Sequence, residues 1–222
     1  MCKRLGIYGG SFDPVHIGHL VMAELVRQEC KLNKVLFIPA GNPPHKTNRQ
    51  LAPALERYDM VQLAIEGNPY FEVSSIEIER EGKSFTIDTL KELREIYSSS
   101  WEFWLIIGMD SLLEIKTWRK VDEIVKICNL AVYARPGYSL DANRKEIETL
   151  RRELGDTEIA FVPGPLIGIS STEIRQRIRA NKSIRYLVPE AVQAYIQEHS
   201  LNKRIKNNHC LKKSRLERNE SM

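Results

Sequence analysis

The sequence predicts an α/β fold, a doubly wound parallel sheet with helices on both faces, closed by a C-terminal helical segment. Three observations carry this. Strand-like and helix-like stretches alternate along the chain. Several strand candidates, Val35-Leu36-Phe37-Ile38 and Phe103-Trp104-Leu105-Ile106-Ile107 among them, are unbroken apolar runs, as in parallel strands covered on both faces. The segments after the strands are polar and rich in Gly or Pro, and right-handed crossovers bring such segments to one edge of the sheet.

In chain order, strands are expected at 3–8, 34–39, 71–79, 102–107, 129–134 and 158–162. Helices are expected at 18–30, 55–66, 87–97, 111–127 and 142–154, with two more at 171–181 and 189–199 closing the body. The loops at the carboxyl edge are then Gly9–His19, Gly41–Lys46, Gly108–Ser111, Ala134–Gly137 and Pro163–Thr172. This is the edge where an open, Rossmann-like sheet holds its ligands.

At 222 residues the chain is long enough to bury a substantial core. One domain, 1–202, is followed by a basic tail, 203–222, that lacks apolar periodicity and is expected to be disordered. The tail holds seven Lys/Arg and two Glu, or +5. The rest holds 26 Lys/Arg and 27 Asp/Glu, or −1, so the body shows no nucleic-acid-binding surface. No apolar run is long enough to span a bilayer, and Met-Cys-Lys-Arg leads straight into a strand, unlike a secretory signal. Cys2, Cys30, Cys128 and Cys210 have no CxxC spacing, which argues against zinc and against a disulfide framework. A reducing cytoplasm is the expected location, with Cys30 and Cys128 as buried filler.

The chemistry starts at Gly9-Gly10-Ser11-Phe12-Asp13-Pro14-Val15-His16-Ile17-Gly18-His19. A strand, a glycine turn and a helix N-terminus suit a phosphate chain, and two imidazoles add donors. On spacing alone, a capped helix start with two exposed imidazoles fits equally well. Metal ligation would need further ligands, and His45, His199 and His209 show no matching spacing. Gly82-Lys83-Ser84 lacks the earlier glycine of a Walker A loop, and Gly6–Gly10 does not fit a dinucleotide fingerprint.

Ile169-Ser170-Ser171-Thr172-Glu173-Ile174-Arg175 is a second phosphate candidate. Ser170 and Glu173 have capping-box spacing, and Arg175 and Arg179 share a helix face. Two prolines stiffen the loop that carries Lys46, and Thr86 or Asp88 is expected to cap a helix. Trp118, among polar neighbours, is available as a platform for a flat ring, whereas Trp101 and Trp104 fit strand packing.

Together these residues resemble the bacterial nicotinate-nucleotide adenylyltransferases of the H-x-G-H nucleotidyltransferase superfamily. The superfamily is marked by G-G-S-F-D-P-V-H-I-G-H at 9–19 and I-S-S-T-E-I-R at 169–175. The narrower family is marked by P-P-H-K at 43–46, S-F-T-I-D-T-L at 84–90, I-I-G-M-D-S at 106–111, Trp118 and A-R-P-G at 134–137. Phe85 stands where the family usually has Tyr.

The resemblance implies adenylyl transfer from ATP to nicotinate mononucleotide in NAD biosynthesis, with Mg²⁺ accompanying ATP. It implies His16, His19, Lys46 and Arg175 as catalytic. ATP is then expected on Gly9, Gly10, Ser11, Phe12, Gly18, Gly108, Asp110, Ile169, Ser170, Ser171 and Thr172. The nicotinate nucleotide is expected on Lys46, Thr86, Trp118 and Arg135. No membrane or nucleic-acid partner is implied, and the oligomeric state, a homo-oligomer included, is left open. Competing readings are a nicotinamide-mononucleotide or pantetheine-phosphate adenylyltransferase. From another class come a nucleotide sensor or an RNA-associated protein, which only the basic tail favours.

Overall fold

A computed structural model describes residues 2–44, 51–134, 144–165 and 167–199, with only the backbone of Ala134, Arg144 and Glu146. Its strands are β1 (Lys3–Gly10), β2 (Lys34–Pro39), β3 (Phe71–Val73), β4 (Trp101–Gly108), β5 (Cys128–Ala134) and β6 (Ile159–Pro163). They form one sheet in the order β3-β2-β1-β4-β5-β6, every neighbouring pair parallel. Strand order reverses at β1, which pairs with β2 on one side (Ile7 opposite Leu36) and β4 on the other (Ile7 opposite Leu105). A crevice opens beyond the strand ends at such a reversal.

The expected helices are present at α1 (Ile17–Glu29), α2 (Ala54–Ile65), α4 (Thr86–Ile96), α7 (Arg144–Glu153), α8 (Ser171–Arg179) and α9 (Glu190–Glu198). They cover two faces, because alternate strand residues point opposite ways. Tyr8, Phe37, Trp104 and Ile106 pack with α1, α2, α8 and α9. Ile7, Ile38, Leu105 and Ile107 pack on the other side with Ile87 and Leu90 of α4 and Leu150 of α7. Cys30 and Cys128 are buried as expected, and burial pushes their thiols up to about 11 and about 12.

Two expected elements are different. The stretch 71–79 is not one strand: after the three residues of β3, a helical turn, α3 (Ile76–Glu79), begins. Ser75 drives the break, since its carbonyl accepts from Ile78 and Glu79 N–H and its hydroxyl reaches Glu79 at 2.5 Å. The stretch 111–127 is not one helix either. It is α5 (Met109–Leu113), a 3-10 turn (Ile115–Thr117) and α6 (Val121–Ile127). The Thr117 hydroxyl turns back to the Glu114 carbonyl at 2.7 Å, and Lys120 takes a left-handed φ of 56°. The break matters for function, because it leaves Trp118 between two helices instead of on one.

Candidate active site

The glycines at the end of β1 do not make the tight turn expected of them. Both belong to the strand, and Phe12 takes the left-handed conformation at φ 44°. Gly9 serves approach instead: a Cβ there would meet nothing within 4 Å, so the strand end is open to a ligand. The Phe12 side chain is core, edge-on to Tyr8 and His19.

His16 is the N-cap of α1, and His19 sits one turn into the helix. Their rings stack at 3.6 Å between centroids and 24° between planes. Gly18 makes this possible, since a Cβ there would lie 3.1 Å from the His16 ring. The His16 backbone N–H donates to Nδ1 of His19 at 3.1 Å. An acceptor at Nδ1 puts the proton of a neutral imidazole on Nε2. The N-terminal N–H of α1 thus decides which nitrogen of a neutral His19 carries the proton.

The second predicted phosphate segment lies against the first. The Ser171 hydroxyl donates to the Pro14 carbonyl at 2.9 Å, and Ile167 approaches Gly18. Ser170 caps α8 as expected, accepting from Glu173 N–H at 3.1 Å. Ser170 and Thr172 remain exposed, with Ile169 packed against the core behind them. Arg175 and Arg179 do not act as a matched pair. Arg179 is exposed, while Arg175 is buried, donating to the Asp13 carbonyl and to the Thr172 hydroxyl at 3.0 Å, with the Asp13 carboxylate at 3.5 Å. In this geometry Arg175 ties α8 to the β1 loop.

On the opposite face of the sheet, a cavity of about 340 Å³ reaches the same strand end. Its walls include Gly9, Gly10, Pro43, Thr86 and Trp118. Trp118 is half-buried, and the neighbouring Arg119 guanidinium lies 4.6 Å from the Phe85 ring. Neither Thr86 nor Asp88 caps α4. Phe85 is its N-cap, with no side-chain acceptor, and Asp88 faces Arg119 at 3.7 Å. Ser84 is used elsewhere, bonding Asn42 through both its N–H (2.9 Å) and its hydroxyl (3.0 Å), which joins the proline loop to the head of α4. Gly108 and the exposed Asp110 stand where β4 runs into α5. His45, Lys46 and Arg135 lie outside the described residues.

Two buried charged groups escape sequence reasoning. Glu77, on the one turn of α3, lines the cavity and accepts from the Thr89 hydroxyl at 2.7 Å. Burial pushes its carboxyl above the ordinary range. Arg57 is 1% exposed. Its one sequence signal is position: it shares the buried stripe of α2 with Met60, Val61 and Ile65. No group of three or more metal-ligating side chains occurs among the described residues, and no described helix is long and apolar enough to cross a membrane.

Comparison with known proteins gives the same picture. A cytidylyltransferase-like family model matches residues 7–177. A probable nicotinate-nucleotide adenylyltransferase from Thermoanaerobacter sp. (strain X514) is 48% identical over 205 residues, 92% of this chain and 97% of that protein. One of the same name from Moorella thermoacetica is 46% identical over 198 residues, 89% and 91% of the two chains. Among solved structures, the Plasmodium falciparum nicotinic acid mononucleotide adenylyltransferase complexed with NaAD superposes with a TM-score of 0.72 at 18% identity, over 90% of this chain and 98% of that one. At that identity the likeness is one of fold. The near-complete match to the curated relatives places this chain in the nicotinate-nucleotide adenylyltransferase family, within the cytidylyltransferase-like group.

Proposed function

We propose that this chain transfers the adenylyl group of ATP to nicotinate mononucleotide, yielding nicotinate adenine dinucleotide and pyrophosphate. The observation that carries the reading is the meeting of two half-sites over Gly9 and Gly10. One is the pair of helix N-termini with His16 and His19; the other is the cavity walled by Thr86 and Trp118. The names of the nearly full-length relatives point the same way.

An oxygen of the nicotinate nucleotide's 5′-phosphate attacks the α-phosphorus of ATP. The bond from that phosphorus to the β-bridging oxygen breaks, and its electron pair leaves with pyrophosphate. A phosphate monoester is largely dianionic near neutral pH, its second pKa being about 6, so the nucleophile needs no base. The protein has to align two anions and offset developing charge. His19 donates through Nε2, and the α1 and α8 N-termini add the positive ends of their helix dipoles. Lys46 and Arg135 act on the nicotinate nucleotide. Mg²⁺ accompanying ATP would offset charge on the triphosphate and on the departing pyrophosphate.

In the cavity, Trp118 stacks on the pyridine ring. The head of α4 carries no capping side chain, and with Asp88 N–H taken by the Phe85 carbonyl at 3.1 Å, the Thr86 and Ile87 N–H groups serve the nicotinate carboxylate. An amide there would set donor against donor. The test is pyrophosphate release from ATP with nicotinate mononucleotide, nicotinamide mononucleotide and phosphopantetheine offered separately. The expected preference for the nicotinate form is at least about tenfold in kcat/KM, or roughly 1.4 kcal/mol. Equal efficiency with the nicotinamide form would remove the carboxylate assignment.

A further inference from the structure

We propose that Arg57 is a positioning residue for adenylyl transfer, a single buried guanidinium that sets the spacing between the loops after β1 and β2. The proposal rests on the function proposed above. Arg57 belongs to α2 and touches the site only through other residues, yet its guanidinium bonds backbone carbonyls of the loops that follow β1 and β2. Nε donates to the Ala52 carbonyl at 2.9 Å and Nη1 to the Ser11 carbonyl at 2.8 Å. Nη2 donates to the Ala40 carbonyl at 2.5 Å, with the Gly41 carbonyl at 3.5 Å. Ser11 follows the glycines at the end of β1, while Ala40 and Gly41 open the loop that leads to Pro43 and Pro44.

The surroundings argue for placement over simple packing. Burial disfavours the Arg57 charge, and Asp13 and Glu77 offset part of that cost. Filling the same stripe position with an apolar side chain would avoid the cost but leave inward carbonyls without donors. The planar fork serves several directions at once, which an ammonium does not. The tie also continues. The Ala52 N–H donates to the Asp13 carboxylate at 3.3 Å, and Asp13 is in turn held by Arg175. Gly41 is clamped from the other side, since a Cβ there would lie 2.0 Å from the Glu77 carbonyl oxygen. One guanidinium thus joins the floor of the phosphate half-site to the wall of the cavity.

The test compares full-length wild type, Arg57→Lys and Arg57→Ala. Misaligned loops slow the reaction more than they weaken binding. For Arg57→Lys, kcat is expected to fall about 30- to 100-fold. Both KM values should stay within about threefold. Guanidinium chloride at millimolar concentration should restore part of the Arg57→Ala rate and leave wild type unchanged. Amide exchange in Arg57→Lys should rise about tenfold in residues 10–13 and 40–42, with β4 and α9 unchanged. A wild-type kcat in Arg57→Lys, or a loss confined to KM, overturns the proposal. Failure of both variants to show a cooperative wild-type-like melt makes Arg57 a fold residue and overturns it as well. If wild type itself releases no pyrophosphate with nicotinate mononucleotide, the function reading fails instead. The exchange measurement then still decides whether Arg57 holds the two loops.

Discussion

On the proposed function His19 performs two tasks through two nitrogens, and paired substitutions separate them. Nδ1 accepts the His16 backbone N–H at 3.1 Å, closing the start of α1, and the proposed function gives the Nε2 proton to a phosphate oxygen. Asparagine places Oδ1 near the Nδ1 position and has nothing at Nε2. Glutamine places Nε2 near the ring's Nε2 and offers no acceptor at the δ position. His19→Asn should therefore keep the helix start and lose the reaction. Removing one preorganised donor costs about 10²–10³ in kcat, roughly 3–4 kcal/mol of transition-state stabilisation.

His19→Gln should show the reverse pattern. A lost N-terminal acceptor costs about 1 kcal/mol. For a chain of this size that is roughly 2–4 °C in Tm. Its kcat should fall less than about tenfold, because a donor remains. Alanine loses both. The assays are continuous pyrophosphate release at saturating substrates and a calorimetric melt of each variant. A wild-type rate in His19→Asn, or equal inactivity in His19→Gln and His19→Ala, would refute the division of labour.

Three other outcomes follow from the same geometry. Trp118→Ala should raise KM for nicotinate mononucleotide about 3- to 10-fold, corresponding to roughly 0.5–1.5 kcal/mol of ring contact, and leave KM for ATP nearly unchanged; equal effects on both substrates would count against stacking. Glu77 has a folded pKa above its unfolded one, so its contribution to stability is full at acid pH and is lost as pH rises past the ordinary carboxylate range. The stability of Glu77→Gln relative to wild type, measured by urea unfolding, should therefore grow from pH 4 to pH 7, and a flat difference would show that the fold does not raise the carboxyl's pKa. Cys30 and Cys128, buried and with raised pKa values, should resist a disulfide reagent at pH 8 until the chain unfolds, while exposed Cys2 reacts in the native state.

The sequence by itself determined the elements and the edge on which the chemistry sits. Hydrophobic periodicity and doubly apolar strands placed the six strands and most helices, because burial on one or two faces writes a direct pattern into the chain. The strand, glycine pair and helix start of the proposed phosphate half-site were legible too, since they are local in sequence. Tertiary structure decided what depends on distant partners. Whether 71–79 bends and 111–127 breaks was settled by local hydroxyl bonds, Ser75 to the Glu79 carboxylate and Thr117 back to the Glu114 carbonyl, against a continuing apolar period. The partner of Arg175 was settled by the approach of Asp13, 162 positions away. Arg57 reads in sequence as an interruption of an apolar stripe. Only the folded chain brings Ser11, Ala40 and Ala52 within reach of one planar side chain, because hydrogen-bond direction in space has no counterpart in residue order.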